Sequence, residues 1–212
     1  MVNTAENTEV LALRRSPAQH LWTEFSAGSV AGARGVSLRE VPFQAMVGIR
    51  VDPLSEAGTR IGALTGGLPV SCGKVTSGPN GVSTLWVGPD EFLAIAPDHG
   101  VDDGGFVAGL VAALGDGAGQ VIDLSSNRTT FELSGPSARE VLEKSCAADL
   151  HPRTFTEGTA ITTEVGKIPV LLWKTGAETF QLFPRASFAD YLGRWLLDGM
   201  REFAATGHPT WH

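Results

Sequence analysis

A segment near the middle of the chain limits the possible folds more than any other feature of the sequence. Arg128 to Leu133 has the alternation of a β-strand, and Gly135-Pro136 then turns the chain into a predicted helix over Ser137 to Cys146. The apolar residues of this helix lie on one face, at intervals of three or four; they are Ala138, Val141, Leu142 and Cys146. A strand that leads through a tight turn into an amphipathic helix predicts an α+β fold.

The two halves of the chain contain predicted elements in the same order. The first half contains strand Ala45–Val51, a helix from about Asp52 to Leu64, a hairpin over Val82–Pro97, a helix over Phe106–Leu114 and a short strand Gln120–Leu124. After the strand and helix already described, the second half contains strands Thr159–Glu164, Ile168–Lys174 and Thr179–Phe183 and a closing helix Ser187–Phe203. We therefore predict two related ferredoxin-like βαββα units.

The two hairpins also match residue by residue. Leu85-Trp86, Gly88 and Phe92 recur as Leu172-Trp173, Gly176 and Phe180, with one additional residue between Trp and Gly in the second hairpin. The repeat predicts a flexible N-terminal arm over residues 1–20, a first α+β unit over 21–119, a second over 120–205 and a C-terminal tail over 206–212. Residues 21–34 are rich in small side chains and fit neither period clearly.

The composition excludes several classes of protein. A formal net charge of -7 is unfavourable for binding nucleic acid or an anionic membrane, because both need clustered Lys and Arg. No apolar run reaches the roughly 18 residues that a membrane span needs, and the polar, acidic start lacks the pattern of a signal peptide. Cys72 and Cys146 have neither metal-binding nor redox spacing. We expect a reduced, cytoplasmic protein, with a disulfide between the two cysteines as the open alternative.

Segments that resemble cofactor-binding motifs lack the position or the residues that those motifs need. The glycine-rich Gly115–Gly119 follows a predicted helix and precedes a strand, whereas a dinucleotide loop follows a strand. Gly73-Lys74 resembles part of a phosphate loop, but Leu68 and Val75 stand where that motif needs glycine and a hydroxyl. The five histidines are scattered. We therefore predict no catalytic, cofactor-binding or metal-binding residue in this chain.

The polar connection Asp149–Phe155, closed by Gly158, has two interpretations. In the first it is structural: Asp149 caps backbone amides while Leu150 and Phe155 fill the core. In the second it contacts a partner protein, to which His151 and Arg153 offer hydrogen-bond donors that suit carboxylates. Four tryptophans are further candidates for interface anchors, although aromatic residues in helices and strands are more often core; they are Trp22, Trp173, Trp195 and Trp211.

These motifs together resemble the gamma subunit of heterotetrameric sarcosine oxidase, a relative of the aminomethyltransferase (glycine-cleavage T-protein) folate-binding-domain fold. The segments that carry the resemblance are Gly135-Pro136-Ser137-Ala138, Asp149 to Gly158, Leu172-Trp173-Lys174-Thr175-Gly176 and Phe183 to Ala189. The match is strong over residues 123–203, weaker over 38–114 and absent from the N-terminal arm.

The resemblance implies a non-catalytic, structural subunit of a complex that oxidatively demethylates sarcosine to glycine. The methyl group would pass to tetrahydrofolate or leave as formaldehyde, and oxygen would become hydrogen peroxide. The resemblance also implies alpha, beta and delta partner chains that hold FAD, FMN, NAD and zinc, with the folate-type domain of alpha as the main contact and no cofactor in this chain. Six residues are the candidates for the interface: Arg128, Asp149, His151, Arg153, Phe155 and Trp173.

Two alternatives remain. One is a free-standing folate-dependent aminomethyltransferase; the other is the same subunit role in a complex that acts on another N-methyl amino acid. Aminomethyltransferases usually carry an acidic residue just after a Gly-x-Ile segment, and here that stretch is Gly166-Lys167-Ile168-Pro169-Val170, without an acid. Because a carboxylate would be needed to hold the pterin or a reactive amine, its absence favours the subunit.

Overall fold

The computed structural model describes residues 13–98 and 104–204. The C-terminal tail and most of the predicted N-terminal arm, residues 1–12, lie outside the described residues. These ranges contain ten strands: β1 Ser37–Val41, β2 Ala45–Val51, β3 Val75–Ser77, β4 Ser83–Gly88, β5 Glu91–Ala96, β6 Gly119–Asp123, β7 Thr130–Ser134, β8 Ala160–Val165, β9 Ile168–Gly176 and β10 Thr179–Pro184. The α-helices are α1 Trp22–Gly28, α2 Glu56–Thr65, α3 Gly104–Leu114, α4 Ala138–Glu143 and α5 Ala189–Ala204, with 3₁₀ turns at Gln19–Leu21, Pro79–Gly81 and Ala186–Phe188.

The strands form two antiparallel sheets with the same internal order. The first sheet runs β3-β4-β5-β2-β6, and the second runs β8-β9-β10-β7-β1. Each position in one sheet therefore has an equivalent in the other, with β2 matching β7 and the β4–β5 hairpin matching β9–β10. The predicted α+β architecture of two related units is confirmed.

The pairing of the outermost strands β1 and β6 divides the chain differently from the prediction. β1 pairs with β7, while β6 pairs with β2. The described residues accordingly form a first unit of 13–16, 42–98 and 104–128, and a second of 17–41 and 129–204. The predicted boundaries 1–20, 21–119 and 120–205 differ from this division. The difference arises because pairing between distant strands, which no local period reports, assigns β1 to the second unit.

Two helices of the first unit pack on its sheet. α2 and α3 cover the face that carries Val47, Ile49 and Phe92, and their buried residues in this cluster are Ala57, Ile61 and Leu110. α2 begins after Ser55, whose hydroxyl accepts the Gly58 amide at 3.0 Å, and not at the predicted Asp52. Residues 52–55 instead form a turn, in which the Asp52 carboxylate accepts the Leu54 amide at 2.9 Å.

The second unit has helices α1, α4 and α5 against one face of its sheet. Phe131, Leu172 and Phe180 point into the core from the strands. The apolar stripe of α5 meets them with Leu192, Leu196 and Met200. The core of this unit therefore combines residues from both ends of the sequence, since Phe25 of α1 packs edge-on against Phe131 at 5.7 Å between ring centroids.

The two hairpins correspond in the structure with a different alignment from the one their sequences indicate. Phe92 lies opposite Trp86, but its counterpart Phe180 lies opposite Lys174, and each hairpin has one extra residue just before its glycine. Trp86 is therefore equivalent to Lys174. Trp173, one position earlier, projects from the other face of its sheet, because successive residues of a strand alternate between faces.

Candidate functional site

Residues 149–158, here called the His151 loop, connect α4 to β8. The Asp149 carboxylate accepts the amide N–H of His151 at 2.9 Å. The His151 carbonyl in turn accepts the amides of Thr154 and Phe155 at 2.8 and 2.9 Å. The loop is thus a compact turn in which these three backbone amides are bonded within the loop, and Leu150 and Phe155 are its buried residues.

The imidazole of His151 is oriented by its own loop. Its Nδ1 accepts the amide N–H of Arg153 at 3.2 Å, which leaves Nε2 as the ring nitrogen that can donate outward. His151 and Arg153 are both exposed. Among the described residues no acidic group forms an ion pair with Arg153. The loop therefore presents two hydrogen-bond donors, the imidazole Nε2–H and the guanidinium.

The base of the loop is fixed to the sheet by Lys174. This buried lysine donates from Nζ to the carbonyl of Phe155 at 3.2 Å, and its own carbonyl accepts the Gly158 amide at 2.8 Å. The Phe155 ring stacks on Phe180 with 6.3 Å between centroids and 5° between planes, and the Lys174 ammonium lies 5.6 Å from the Phe180 centroid. These contacts order the loop before any partner binds, so the loop loses less conformational entropy on binding.

The structure brings together four of the six interface candidates. Asp149, His151, Arg153 and Phe155 all belong to the loop, where the first three are exposed and Phe155 is core. Trp173 is half-buried on the opposite face of the sheet, with an indole N–H that is buried and finds no acceptor among the described residues. Arg128 lies in the first unit. The assignment of these residues to an interface stays a prediction.

An aromatic pair on α5 is exposed, although tryptophans in helices are more often core. Tyr191 and Trp195 stack with 5.9 Å between ring centroids, yet they remain 44% and 41% exposed. Their polar atoms are already bonded within the chain: the Tyr191 hydroxyl donates to the Gly166 carbonyl at 3.0 Å, and the Trp195 indole N–H donates to Ser145 Oγ at 2.8 Å. The sequence signal was the spacing of four residues on the polar side of an amphipathic helix.

Groups with potential for chemistry are sparse in the part of the chain that the structure describes. It contains no cluster of three or more His, Cys, Asp or Glu side chains placed to hold a metal ion. Cys72 and Cys146 are both free thiols. The Gly166-Lys167 segment forms the turn between β8 and β9, with Lys167 exposed. None of the described helices is long and apolar enough to cross a membrane.

One carboxylate has a perturbed pKa. The pKa of Asp190 lies below its ordinary value of 3.8, chiefly because His20 hydrogen-bonds to it at 2.7 Å and secondarily because of Arg194. Both partners are exposed, as is Asp190 itself. The arrangement joins the segment before α1 to the start of α5, so its role is structural.

The sequence and structure are similar to those of known proteins. Residues 48–202 match the sarcosine oxidase, gamma subunit family. The chain is 50% identical over 204 residues to the sarcosine oxidase subunit gamma of Corynebacterium sp. (strain P-1), covering 95% of this chain and 98% of that protein. It superposes with a TM-score of 0.87 and 47% identity on a chain of the heterotetrameric sarcosine oxidase from Corynebacterium sp. U-96 in complex with pyrrole 2-carboxylate, covering 92% of this chain and 99% of that one.

A more distant likeness concerns the fold alone. The glycine cleavage system aminomethyltransferase T from Bartonella henselae superposes with a TM-score of 0.62 and 15% identity, covering 87% of this chain and 57% of that one. The predicted aminomethyltransferase-like fold is thereby confirmed. Together with the match over residues 48–202 and the identity of one residue in two, these findings show that the chain belongs to the sarcosine oxidase gamma subunit family.

Proposed function

We propose that this chain is the gamma subunit of a heterotetrameric sarcosine oxidase that oxidatively demethylates sarcosine to glycine, and that its own role is structural. The observation that carries the proposal is the superposition on a chain of the heterotetrameric enzyme, at 47% identity over nearly the full length of both chains. Conserved fold and sequence over a whole chain favour the same place in the same kind of assembly.

The absence of catalysis by this chain is part of the proposal. The Gly166-Lys167-Ile168 segment supports it, because it is followed by Pro169 where the aminomethyltransferase resemblance calls for an acid. Proline has no carboxylate with which to hold the pterin or a reactive amine. We also propose that FAD, FMN, NAD and zinc are held by the alpha, beta and delta chains, and that the complex is cytoplasmic.

The His151 loop is the proposed contact with the folate-type domain of alpha. It is pre-ordered by Lys174 and Phe155, and it directs an imidazole N–H and a guanidinium to solvent. Arginine pairs bidentately with carboxylates, and such pairs fix the register of an interface. Arg153→Glu should therefore reduce incorporation of the chain into the complex, whereas Arg153→Lys, which keeps the charge but not the planar fork, should reduce it less.

The test of the proposed function is purification of the tagged chain from its native cells, followed by mass spectrometry, a flavin absorbance spectrum and an assay of sarcosine-dependent hydrogen peroxide. We expect alpha, beta and delta chains at equal stoichiometry, a flavin spectrum and oxidase activity. A colourless chain that elutes alone contradicts the proposal. Tetrahydrofolate binding by the isolated chain would instead support the aminomethyltransferase, and activity only with another N-methyl amino acid would change the substrate.

A further inference from the structure

We infer that Tyr191, Trp195 and Lys167 form a second docking surface, which binds an apolar surface of another subunit that carries a carboxylate at its edge. The surface is distinct from the His151 loop. It is called here the α5 aromatic surface.

The ring faces are what this surface offers to a partner. The Tyr191 hydroxyl and the Trp195 indole N–H both donate to acceptors within the chain, so neither needs a new acceptor when water is removed. Gly166 lies directly against the indole, where a Cβ atom would come within 3.1 Å of Trp195 Cγ. The pair is therefore held in one orientation and exposes apolar area, which is the combination found in interface hot spots.

The charges around the pair indicate the sign of the partner. The charged side chains on the outer side of α5 have an opposite charge within the chain: Asp190 has Arg194, Arg194 also has Glu24, Arg201 has Asp198, and Glu202 has Lys144. Lys167, next to Gly166, is exposed and forms no ion pair with any residue in the described ranges. Glu164 alternates to the far side of β8 from the buried Val165. The unbalanced charge beside the rings is therefore positive, which favours a carboxylate on the partner.

The occupant is a different subunit and not a second copy of this chain. In a two-fold contact between identical surfaces each residue near the axis meets its own counterpart. Two copies would bring one Lys167 near the other, with no carboxylate to balance them. The chain also matches a subunit of a heterotetrameric enzyme, in which surfaces of other chains are available.

The test is a competition between wild-type and variant gamma chains for incorporation into the complex. The four chains are co-expressed with equal amounts of wild-type and variant gamma chain, the complex is captured through a tag on another subunit, and the ratio of the two gamma chains is measured by mass spectrometry. Trp195→Ala should be incorporated at least about tenfold less than wild type, since aromatic hot spots cost more than tenfold in affinity on truncation. Lys167→Glu should also be depleted.

Leu54→Ala is the matched control. It removes a strongly exposed apolar side chain from the first unit, outside the α5 aromatic surface, and its ratio should stay near one. Equal incorporation of Trp195→Ala and Leu54→Ala would overturn the inference. Failure to capture wild-type gamma would instead contradict the proposed subunit function.

A second measurement needs no variant. Hydroxyl-radical labelling of the wild-type chain should modify Trp195 when the chain is alone and leave it protected within the complex. Equal labelling in both states would overturn the inference even if Trp195→Ala proved unstable.

Discussion

Glu40 and Thr129 lie 89 positions apart in the sequence, and the Thr129 hydroxyl donates to Glu40 Oε1 at 2.6 Å in the interior of the second unit. The same carboxylate accepts the backbone amide of Ala18 at 3.2 Å and, through Oε2, the indole N–H of Trp22 at 2.8 Å. Only 5% of Glu40 is exposed. A buried carboxylate with several donors joins the segment before α1, α1 itself and the strand β1 into one unit.

Replacing Glu40 should therefore destabilise the fold. Glu40→Ala leaves the Ala18, Trp22 and Thr129 donors without this acceptor, and we expect the free energy of unfolding to fall by about 2–4 kcal/mol. Glu40→Gln, which keeps one acceptor oxygen, should lose less. Urea-induced unfolding measures both, and an unfolding free energy for Glu40→Ala equal to that of wild type would contradict the role of this residue.

Two glycines in helices should respond to alanine in opposite directions. At Gly193 of α5 a Cβ would come within 2.8 Å of Leu21 Cδ1 and 3.0 Å of Phe25 Cζ, so Gly193→Ala should cost about 1–3 kcal/mol through overpacking. At Gly109 of α3 the nearest atom is Leu64 Cδ1 at 3.8 Å, so Gly109→Ala should stabilise by up to about 1 kcal/mol through helix propensity. The difference between the two melting temperatures is the measurement. Similar shifts for both would contradict the close approach of α1 to α5.

Removal of His20 should raise the pKa of Asp190 towards 3.8, because its hydrogen bond is the largest cause of the lowered value. Arg194→Gln should raise this pKa less. Since the folded-state pKa is depressed, Asp190 stabilises the fold above the unfolded value and loses that contribution as the pH falls through the folded value. Carbon NMR titration of the Asp190 carboxyl in His20→Ala and in wild type measures the change, and identical titration curves would be inconsistent with the contact.

Lys174→Met should loosen the His151 loop while leaving the fold intact. Methionine keeps the apolar stem but loses the bond from Nζ to the Phe155 carbonyl. Methionine also removes the cost of keeping a charge in a buried position, which offsets part of the loss of this bond. Hydrogen exchange should therefore quicken at the Thr154 and Phe155 amides, with protection in β7 and β10 as the internal reference. Uniform loss of protection would show that Lys174 supports the whole unit instead.

The sequence predicted most elements because their periods are local. The β4–β5 and β9–β10 hairpins, α5 and the turn at Gly135-Pro136 all follow patterns contained within a few residues. β1 was missed because Glu40 occupies one of its buried positions, where the alternation of a strand leads one to expect an apolar residue. The groups that donate to the Glu40 carboxylate include the Thr129 hydroxyl, which lies 89 positions away in the sequence. No short window of sequence can show such a contact.

The site was predicted less completely than the fold. The sequence identified the His151 loop as an unusual polar connection. It did not show that Lys174 holds the base of this loop, since a lysine in a strand usually points to solvent. The alignment of Trp86 with Trp173 was wrong by one position, because it matched the two tryptophans across a one-residue gap, whereas both hairpins have their bulge just before the glycine and align without a gap. The only sequence signal for the exposure of Tyr191 and Trp195 was their place on the polar side of α5, which runs against the general tendency of aromatic residues in helices to be buried.

The position of β1 has a consequence for biosynthesis. Residues 42–128 are an insertion between two parts of one folding unit, because β1 precedes them and its partner β7 follows them. During translation all five strands of the inserted unit leave the ribosome before β7 does. The inserted unit can therefore fold while β1 is still unpaired. A rearranged chain in which residues 17–41 followed α5 would make both units contiguous, shorten this loop closure and leave no strand unpaired during synthesis.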